Sequence, residues 1–267
     1  MLRARIFTAA VLIALLLGII LLLPPVATVA ALTLVVLAGA WEWSAFLRPP
    51  GAGARVAYLL LIAVLLPLAW WVSEGPVGRV VLPAAAVAWW VVALAWVAFA
   101  PGRTARWSAA LAGALALVPA WLALVRLRLD LPRGAQWLLF VLALVWAADL
   151  GAYFAGRSFG RRRLAPQVSP GKTWEGVLGG ALFSAVLAAF GGGWFGVPRL
   201  VFVPLCLLAV AFSVVGDLTE SLLKRFAGLK DSGTLFPGHG GVMDRIDSIT
   251  GAAPVIFFGL LALGVAQ

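Results

Sequence analysis

An all-α bundle of membrane-spanning helices is the fold class this sequence predicts: a polytopic protein with about nine transmembrane helices and a cytoplasmic N-terminus. Three observations lead there. Hydrophobic residues make up 64% of the 267-residue chain and only 11% are charged, against about 25% in a soluble domain. Nine apolar runs approach the roughly 20 residues a helix needs to cross a bilayer. None of them alternates polar and apolar residues as a strand would, and backbone in lipid must bond within a helix or a closed barrel.

The runs cover Ile6–Leu23, Val26–Leu47, Val56–Val72, Val80–Ala100, Trp107–Val125, Trp137–Ala155, Val177–Phe195, Leu200–Phe226 and Ile249–Ala266, with Pro, Gly and Arg between them. Arg3 and Arg5 precede the first run, but Pro24-Pro25 and another apolar run follow it. No small-residue cleavage site intervenes, so it is expected to be an uncleaved span. With the N-terminus inside, fifteen of the twenty Lys and Arg residues face the cytoplasm, as the positive-inside rule requires. The Arg126–Arg133 loop breaks that rule and marks either an unusual hairpin or a miscounted span. Trp41, Trp43, Trp70, Trp71, Trp107, Trp137 and Trp194 lie near run ends and are expected as interfacial anchors. A single cysteine, Cys206, excludes a disulfide within the chain. The net charge of +10 has no soluble basic domain to carry it, so no nucleic-acid partner is expected.

Acidic residues divide the chain. Residues 1–136 hold three, Glu42, Glu74 and Asp130, and read as membrane scaffold. Residues 137–267 hold seven, Asp149, Glu175, Asp217, Glu220, Asp231, Asp244 and Asp247, all near inward-facing ends, and read as the catalytic region. In "SVVGDLTESLLKRF", Asp217, Glu220, Ser221 and Lys224 are spaced i, i+3, i+4, i+7 and share one helix face, with Ser213 one turn earlier. Carboxylates at membrane depth are costly and face a partner or a wet cavity.

Further on, "FPGHGGVMDRIDS" sets His239 among Gly238, Gly240 and Gly241, ahead of Asp244, Arg245 and Asp247. One of these aspartates could serve as a cap at the start of the last helix; that does not explain both. Oxygen ligands suit Mg²⁺, which takes one or two carboxylates plus phosphate oxygens, and Asp217 and Asp244 could supply them. His239, with no cysteine nearby, reads as a substrate contact or loop organiser rather than a zinc ligand. In "GRSFGRRRLAPQVSPGKTWEG", Gly171-Lys172-Thr173 suggests a phosphate loop. Pro166 stands where the Walker pattern needs glycine and no strand is expected before it, so it is not a P-loop. Lys172, Thr173 and free amides at the start of the seventh helix still form an anion site. Arg161, Arg162 and Arg163 read as positive-inside charge. Carboxylates for a hard cation, basic groups and glycine loops on one face fit phosphoryl or nucleotidyl transfer involving a lipid.

The stretch "SLLKRFAGLKDSGTLFPGHGGVMDRIDS", Ser221 to Ser248, closely resembles the signature of phosphatidate cytidylyltransferases (CDP-diacylglycerol synthases). It includes Lys224-Arg225, Lys230-Asp231, His239-Gly240-Gly241 and Asp244-Arg245-x-Asp247. Upstream, "SPGKTWEG" is similar to the family's Ser-Pro-x-Lys-Thr-x-Glu-Gly element, and Asp149 with "YFAGRSFGR" to the segment leading into it. The motifs cover roughly the second half of the chain. The resemblance implies that CTP and phosphatidic acid give CDP-diacylglycerol and pyrophosphate with Mg²⁺, without a covalent enzyme intermediate. It implies Asp217 and Asp244 as metal ligands and catalytic residues, with Asp247 and Lys224 also catalytic and Glu220 close by. Substrate-binding candidates are Ser169, Lys172, Thr173, Ser221, Arg225, Lys230, Asp231, His239, Gly240, Gly241 and Arg245. It also implies a homodimer, a second, monovalent cation (K⁺), and a bacterial inner membrane with the site facing the cytoplasm. Two other classes remain open, a polyprenol kinase-like CTP enzyme and a phospholipid transporter. Pyrophosphate release from CTP separates all three.

Overall fold

A computed structural model describes residues 13–48, 51–233 and 240–266. His239 lies outside the described residues. The chain is all-α and polytopic. Its helices are α1 (Ile13–Leu22), α2 (Pro25–Trp43), α3 (Ala52–Glu74), α4 (Pro76–Phe99), α5 (Arg106–Leu129), α6 (Gly134–Phe159), α7 (Trp174–Phe195), α8 (Arg199–Ala227) and α9 (Met243–Ala262). All but α1 are long and apolar enough to cross a membrane. The first apolar run continues toward the N-terminus from α1, outside the described residues. A 3₁₀ turn, Ser44–Leu47, extends α2.

Helices α5 and α9 are the most enclosed. α9 packs on α8 along its length and also meets α2, α4, α5 and α6. The outer helices turn large apolar side chains outward, among them Leu178, Leu182, Phe190 and Leu200, where lipid is the natural solvent. α6 and α7 approach closely because small residues line their seam. A Cβ on Gly151 of α6 would collide with the Gly179 carbonyl oxygen of α7.

Between α6 and α7 the sequence reading expects a loop, and the chain instead makes a short antiparallel hairpin. Strand β1 (Arg163–Ala165) pairs with β2 (Ser169–Thr173), Arg163 facing Thr173 and Ala165 facing Ser169. The turn buries Val168 against Val97 of α4 and Leu218 and Leu222 of α8. That apolar plug ties the hairpin to the bundle and fixes where β2 delivers Lys172.

Two other expectations change. Trp43 and Trp137 are core residues rather than interfacial anchors. Trp43 is 1% exposed and its indole N–H donates to the Ala109 carbonyl at 2.9 Å, while Trp137 stacks on Phe195 with centroids 3.6 Å apart. Trp71, Trp107 and Trp194 are exposed as expected. The segment from Arg126 is also no open loop, because α5 runs on to Leu129. Arg126 is buried, donates to Ser73 Oγ and Glu74 Oε1 at 2.7 Å each, and stacks over Trp70. Asp130 bridges Arg126 and Arg79. Two arginines and two acids thus cancel at the ends of α3, α4 and α5, which removes Arg126 from the exception to the charge rule.

Gly151→Ala should lower the melting temperature in detergent by several degrees, the size expected for about 1–3 kcal/mol of overpacking. Gly18→Ala, where nothing lies within 4 Å of the added methyl, should leave it unchanged. Equal melting temperatures for the two variants would contradict the close α6–α7 seam.

Candidate active site

The hairpin, α6, α7, α8 and α9 enclose a cavity of about 420 Å³, within the range that holds small-molecule ligands. Asp149, Lys172 and Asp217 form its polar end, with Tyr153, Arg157, Thr173, Ser213 and Ser248 also in the wall. Val210 lies seven residues before Asp217 on α8, about 10 Å along the axis. With Val177 and Val214 it gives the wall an apolar stretch.

Lys172 Nζ lies 2.5 Å from Asp217 Oδ2, and both side chains are about a quarter exposed. Ser221 Oγ donates to Asp217 Oδ1 at 3.3 Å. Asp149 faces the same charges, within electrostatic reach of Asp217, Lys172 and Arg245. Thr173 caps α7, its Oγ1 accepting the Gly176 N–H at 3.1 Å. Two of the amides expected to be free at this helix start are in use, Gly176 N–H on Thr173 and Trp174 N–H on the Arg162 carbonyl, and the Glu175 carboxylate accepts from the Arg161 and Arg162 amides. Lys172 lines the cavity beside this helix start, paired with Asp217.

One turn further along α8 lies a second, more buried knot. Lys224 Nζ is 2.7 Å from both Glu220 Oε2 and Asp244 Oδ1, joining α8 to α9. The contact to Glu220 is an ion pair without hydrogen-bond alignment, and Glu220 Oε1 is buried with no partner among the described residues. Asp244 Oδ2 accepts from Gly241 N at 2.8 Å, Ser232 N at 3.1 Å and Ser232 Oγ at 2.9 Å. Asp247 is buried between these groups, within electrostatic reach of Asp217 and Glu220, and accepts the Ser248 N–H at 2.7 Å.

The predicted residues separate accordingly. Asp217, Lys172 and Thr173 gather at the cavity, and Ser221 supports Asp217 from behind. Lys224, Glu220, Asp244, Gly241 and Asp247 gather at the knot, and Gly240, with φ +79°, turns the chain into it. Ser169 opens β2, half-buried and outside the cavity lining. Arg225, Lys230, Asp231 and Arg245 are exposed. Sequence reasoning did not single out Ser232, Ser248 or Glu42. Glu42 is buried at the end of α2 and contacts the knot from the scaffold region; its one signal was an acid inside an apolar run.

The donor set suits a hard divalent cation in one respect and constrains it in another. Asp149 and Asp217 face the cavity with oxygen donors, as Mg²⁺ requires when substrate phosphates complete its shell. Glu220 and Asp247 lie buried against each other with Asp217 near, so acids are gathered here in excess of the lysine between them. Among the described residues no cluster of three or more acids or histidines forms a cage by itself, and Asp244 Oδ1 is held by Lys224.

Lys224→Ala should cost about 3–5 kcal/mol, because it leaves Glu220 and Asp244 mostly buried without their counter-charge. Lys172→Ala breaks a pair that water already reaches and should cost about 1 kcal/mol or less. Thermal unfolding of the two variants in the same detergent checks the order; a reversed order would contradict the burial difference.

Among known proteins, the profile of the cytidylyltransferase family matches residues 3–263. A phosphatidate cytidylyltransferase of Haemophilus influenzae is 43% identical over 95% of this chain and 96% of its own. One of Pseudomonas aeruginosa is 42% identical over 99% of this chain and 98% of its own. One of Bacillus subtilis is 41% identical over 49% of each. With a match across nearly its whole length, on a polytopic bundle with a charged cavity, the chain belongs to the cytidylyltransferase family.

Proposed function

We propose that the chain is a CTP:phosphatidate cytidylyltransferase that makes CDP-diacylglycerol and pyrophosphate, a step of phospholipid biosynthesis. The observation that carries this reading beyond family membership is the Lys172–Asp217 pair in a cavity whose exposed wall is otherwise largely apolar. A charged headgroup and the start of its acyl chains need such a junction, and a soluble acceptor would not.

In the reaction, a phosphate oxygen of phosphatidate attacks the α-phosphorus of CTP. The bond from that phosphorus to the oxygen bridging toward the β-phosphorus breaks, and pyrophosphate leaves with the electron pair. Chemistry of this kind is positioning and charge neutralisation. Lys172 exchanges Asp217 for a phosphate oxygen. Lys224 stays between Glu220 and Asp244 and holds α8 to α9. Ser221 orients Asp217. Arg225, Lys230 and Arg245 are exposed basic groups suited to the outer phosphates. Ser169, Thr173, Asp231, His239, Gly240 and Gly241 remain substrate-binding candidates, and Asp247 a catalytic one. Mg²⁺ would be held at Asp217, with Asp149 facing the same cavity, and would neutralise triphosphate charge; Asp244, the other candidate from the sequence, has both oxygens engaged by Lys224, Ser232 and Gly241. A monovalent cation such as K⁺ would offset the remaining acids. The reading includes a homodimer in a bacterial inner membrane, with this site toward the cytoplasm.

A purified-protein assay with labelled CTP, phosphatidate and Mg²⁺ tests the reaction. Pyrophosphate and CDP-diacylglycerol should appear together; release of CDP would indicate a kinase, and no release a transporter. Lys172→Ala should lower kcat/KM for CTP about ten- to a hundredfold, the loss of one charge-assisted contact of about 1.5–3 kcal/mol. Asp244→Asn should remove turnover by orders of magnitude while the protein stays folded, and near-normal turnover would refute this site. For orientation, single cysteines at Arg161 and Pro132, in a Cys206→Ser background, should label oppositely. Pro132→Cys should react with an impermeant reagent in intact cells, and Arg161→Cys only after permeabilisation.

A further inference from the structure

We infer that Glu42, at the end of α2, is a positioning residue for the reaction: it caps α9 from another helix and so fixes Asp244 in the site. The inference rests on the reading of Asp244 given above. It concerns a residue more than 170 positions before the signature motif, in the region the sequence reads as scaffold.

The first turn of any helix leaves backbone N–H groups without partners. The residue preceding α9, Val242, has no side chain that can serve as a cap. Glu42 Oε2 supplies the acceptor instead, taking the Met243 N–H at 2.9 Å. Its negative charge lies at the positive end of the α9 dipole. The same oxygen is 2.9 Å from Ser232 Oγ, which is also 2.9 Å from Asp244 Oδ2. One hydroxyl proton therefore serves two carboxylates, Glu42 and Asp244, and Ser232 couples them. Asp244 N–H donates back to the same hydroxyl at 3.3 Å, closing the connection.

Two glycines make room for this approach. A Cβ on Gly233 would collide with Glu42 Oε1, and one on Gly241 with Glu42 Oε2 and Ser232 Oγ. The backbone on both sides of residues 234–239 is thus shaped to the Glu42 carboxylate.

Six residues on, the same segment holds the other helix of the site. Arg48 donates from Nε to the Phe226 carbonyl at 2.6 Å and stacks over the Phe226 ring at 4.1 Å. Phe226 lies in the last turn of α8, and Arg48 adopts φ +53° to reach it. That left-handed conformation is unfavourable for a side-chain-bearing residue. Residues 42–48 therefore grip α8 at its C-terminus and α9 at its N-terminus, and set the span that Lys224 crosses to Asp244.

Steady-state kinetics of the full-length protein in detergent tests the inference, with Glu42→Ala, Glu42→Gln, Ser232→Ala and the Glu42→Ala/Ser232→Ala double variant. Glutamine keeps an acceptor for Met243 N–H and a partner for Ser232. Misplacing a reacting group by about 1 Å can cost roughly 100-fold. Glu42→Ala should accordingly lose ten- to a hundredfold in kcat at saturating CTP and need more Mg²⁺ for half-maximal activity, whereas Glu42→Gln should retain most of kcat. The double variant should be little worse than Glu42→Ala alone, since both break one connection. A structural cap without influence on the site would lower the melting temperature of Glu42→Ala yet leave kcat and the Mg²⁺ requirement of the folded protein unchanged, and that result overturns the inference. Should Glu42→Ala not fold, Ser232→Ala decides: wild-type kcat and Mg²⁺ requirement there overturn it equally, and a fall in kcat supports it. Asp244→Asn measured alongside separates the two readings. Asp244→Asn inactive with Glu42→Ala fully active removes only the role of Glu42; Asp244→Asn active removes the site itself.

Discussion

The bridge from Lys224 to Glu220 and Asp244 is the constraint on which the rest of the site depends. Apolar side chains gain little by leaving lipid for one another, so helices in a bilayer are held in register by close packing and by polar groups that have nowhere else to go. Here one ammonium group lies 2.7 Å from carboxylates on two helices. Once Asp244 is fixed to α8, the first turn of α9 has one rotation about its axis. Asp247, three residues on, then points inward against Glu220 and Asp217, and Ser248 joins the cavity wall. Asp217, two turns before Lys224, faces the hairpin that brings Lys172.

The opposite end of the bundle shows what charge does when it only holds helices together. Arg79, Arg126, Glu74 and Asp130 form ion pairs with one another, two charges against two. The site cluster does not balance in this way. Asp149 and Asp247 have no ion pair among the described residues, and one oxygen of Glu220 is unpartnered. Such an excess is costly at membrane depth, and a purely structural cluster would gain by losing it. The imbalance supports a site completed by its substrates and their counter-ions.

The membrane class, the helix order and most of the site could be read from the sequence, because they depend on signals local to the chain. Run length gives a span, and i, i+3, i+4, i+7 spacing puts Asp217, Glu220, Ser221 and Lys224 on one face. What failed depends on who packs against whom. Trp43 and Trp137 look like interfacial anchors by position, but whether a tryptophan near a helix end meets headgroups or a neighbouring helix is decided by that neighbour, here Ala109 and Phe195. Arg126 violated a charge rule only until its partners, Ser73 and Glu74 of α3 and Asp130 at the end of its own helix, were known. Glu42 was visible as an acid in an apolar run, yet nothing local ties residue 42 to residue 243. The β-hairpin was missed because its strands are only three and five residues long and its stabilising contact, Val168, is made to α4 and α8 rather than within the hairpin.

The two lysines of the site differ in a way that bears on their roles. A group that must give up its partner to an incoming phosphate should form a pair that is cheap to break. Lys172 meets a single carboxylate, and water already reaches both sides. A group that must keep two helices in register should form a pair that is expensive to break. Lys224 meets two carboxylates, with about an eighth of its side chain exposed and Glu220 almost wholly buried. The difference follows from where each lysine is attached. Lys172 is carried on a short hairpin outside the helices, held by Val168 with Leu164 and Ala165, so breaking its pair leaves the register of the helices untouched. Lys224 lies in the last turns of a 29-residue helix, where any movement would be shared with Asp217 and the cavity wall. The same side-chain chemistry therefore serves as an exchangeable contact in one place and as a fixed joint in the other, and burial decides which.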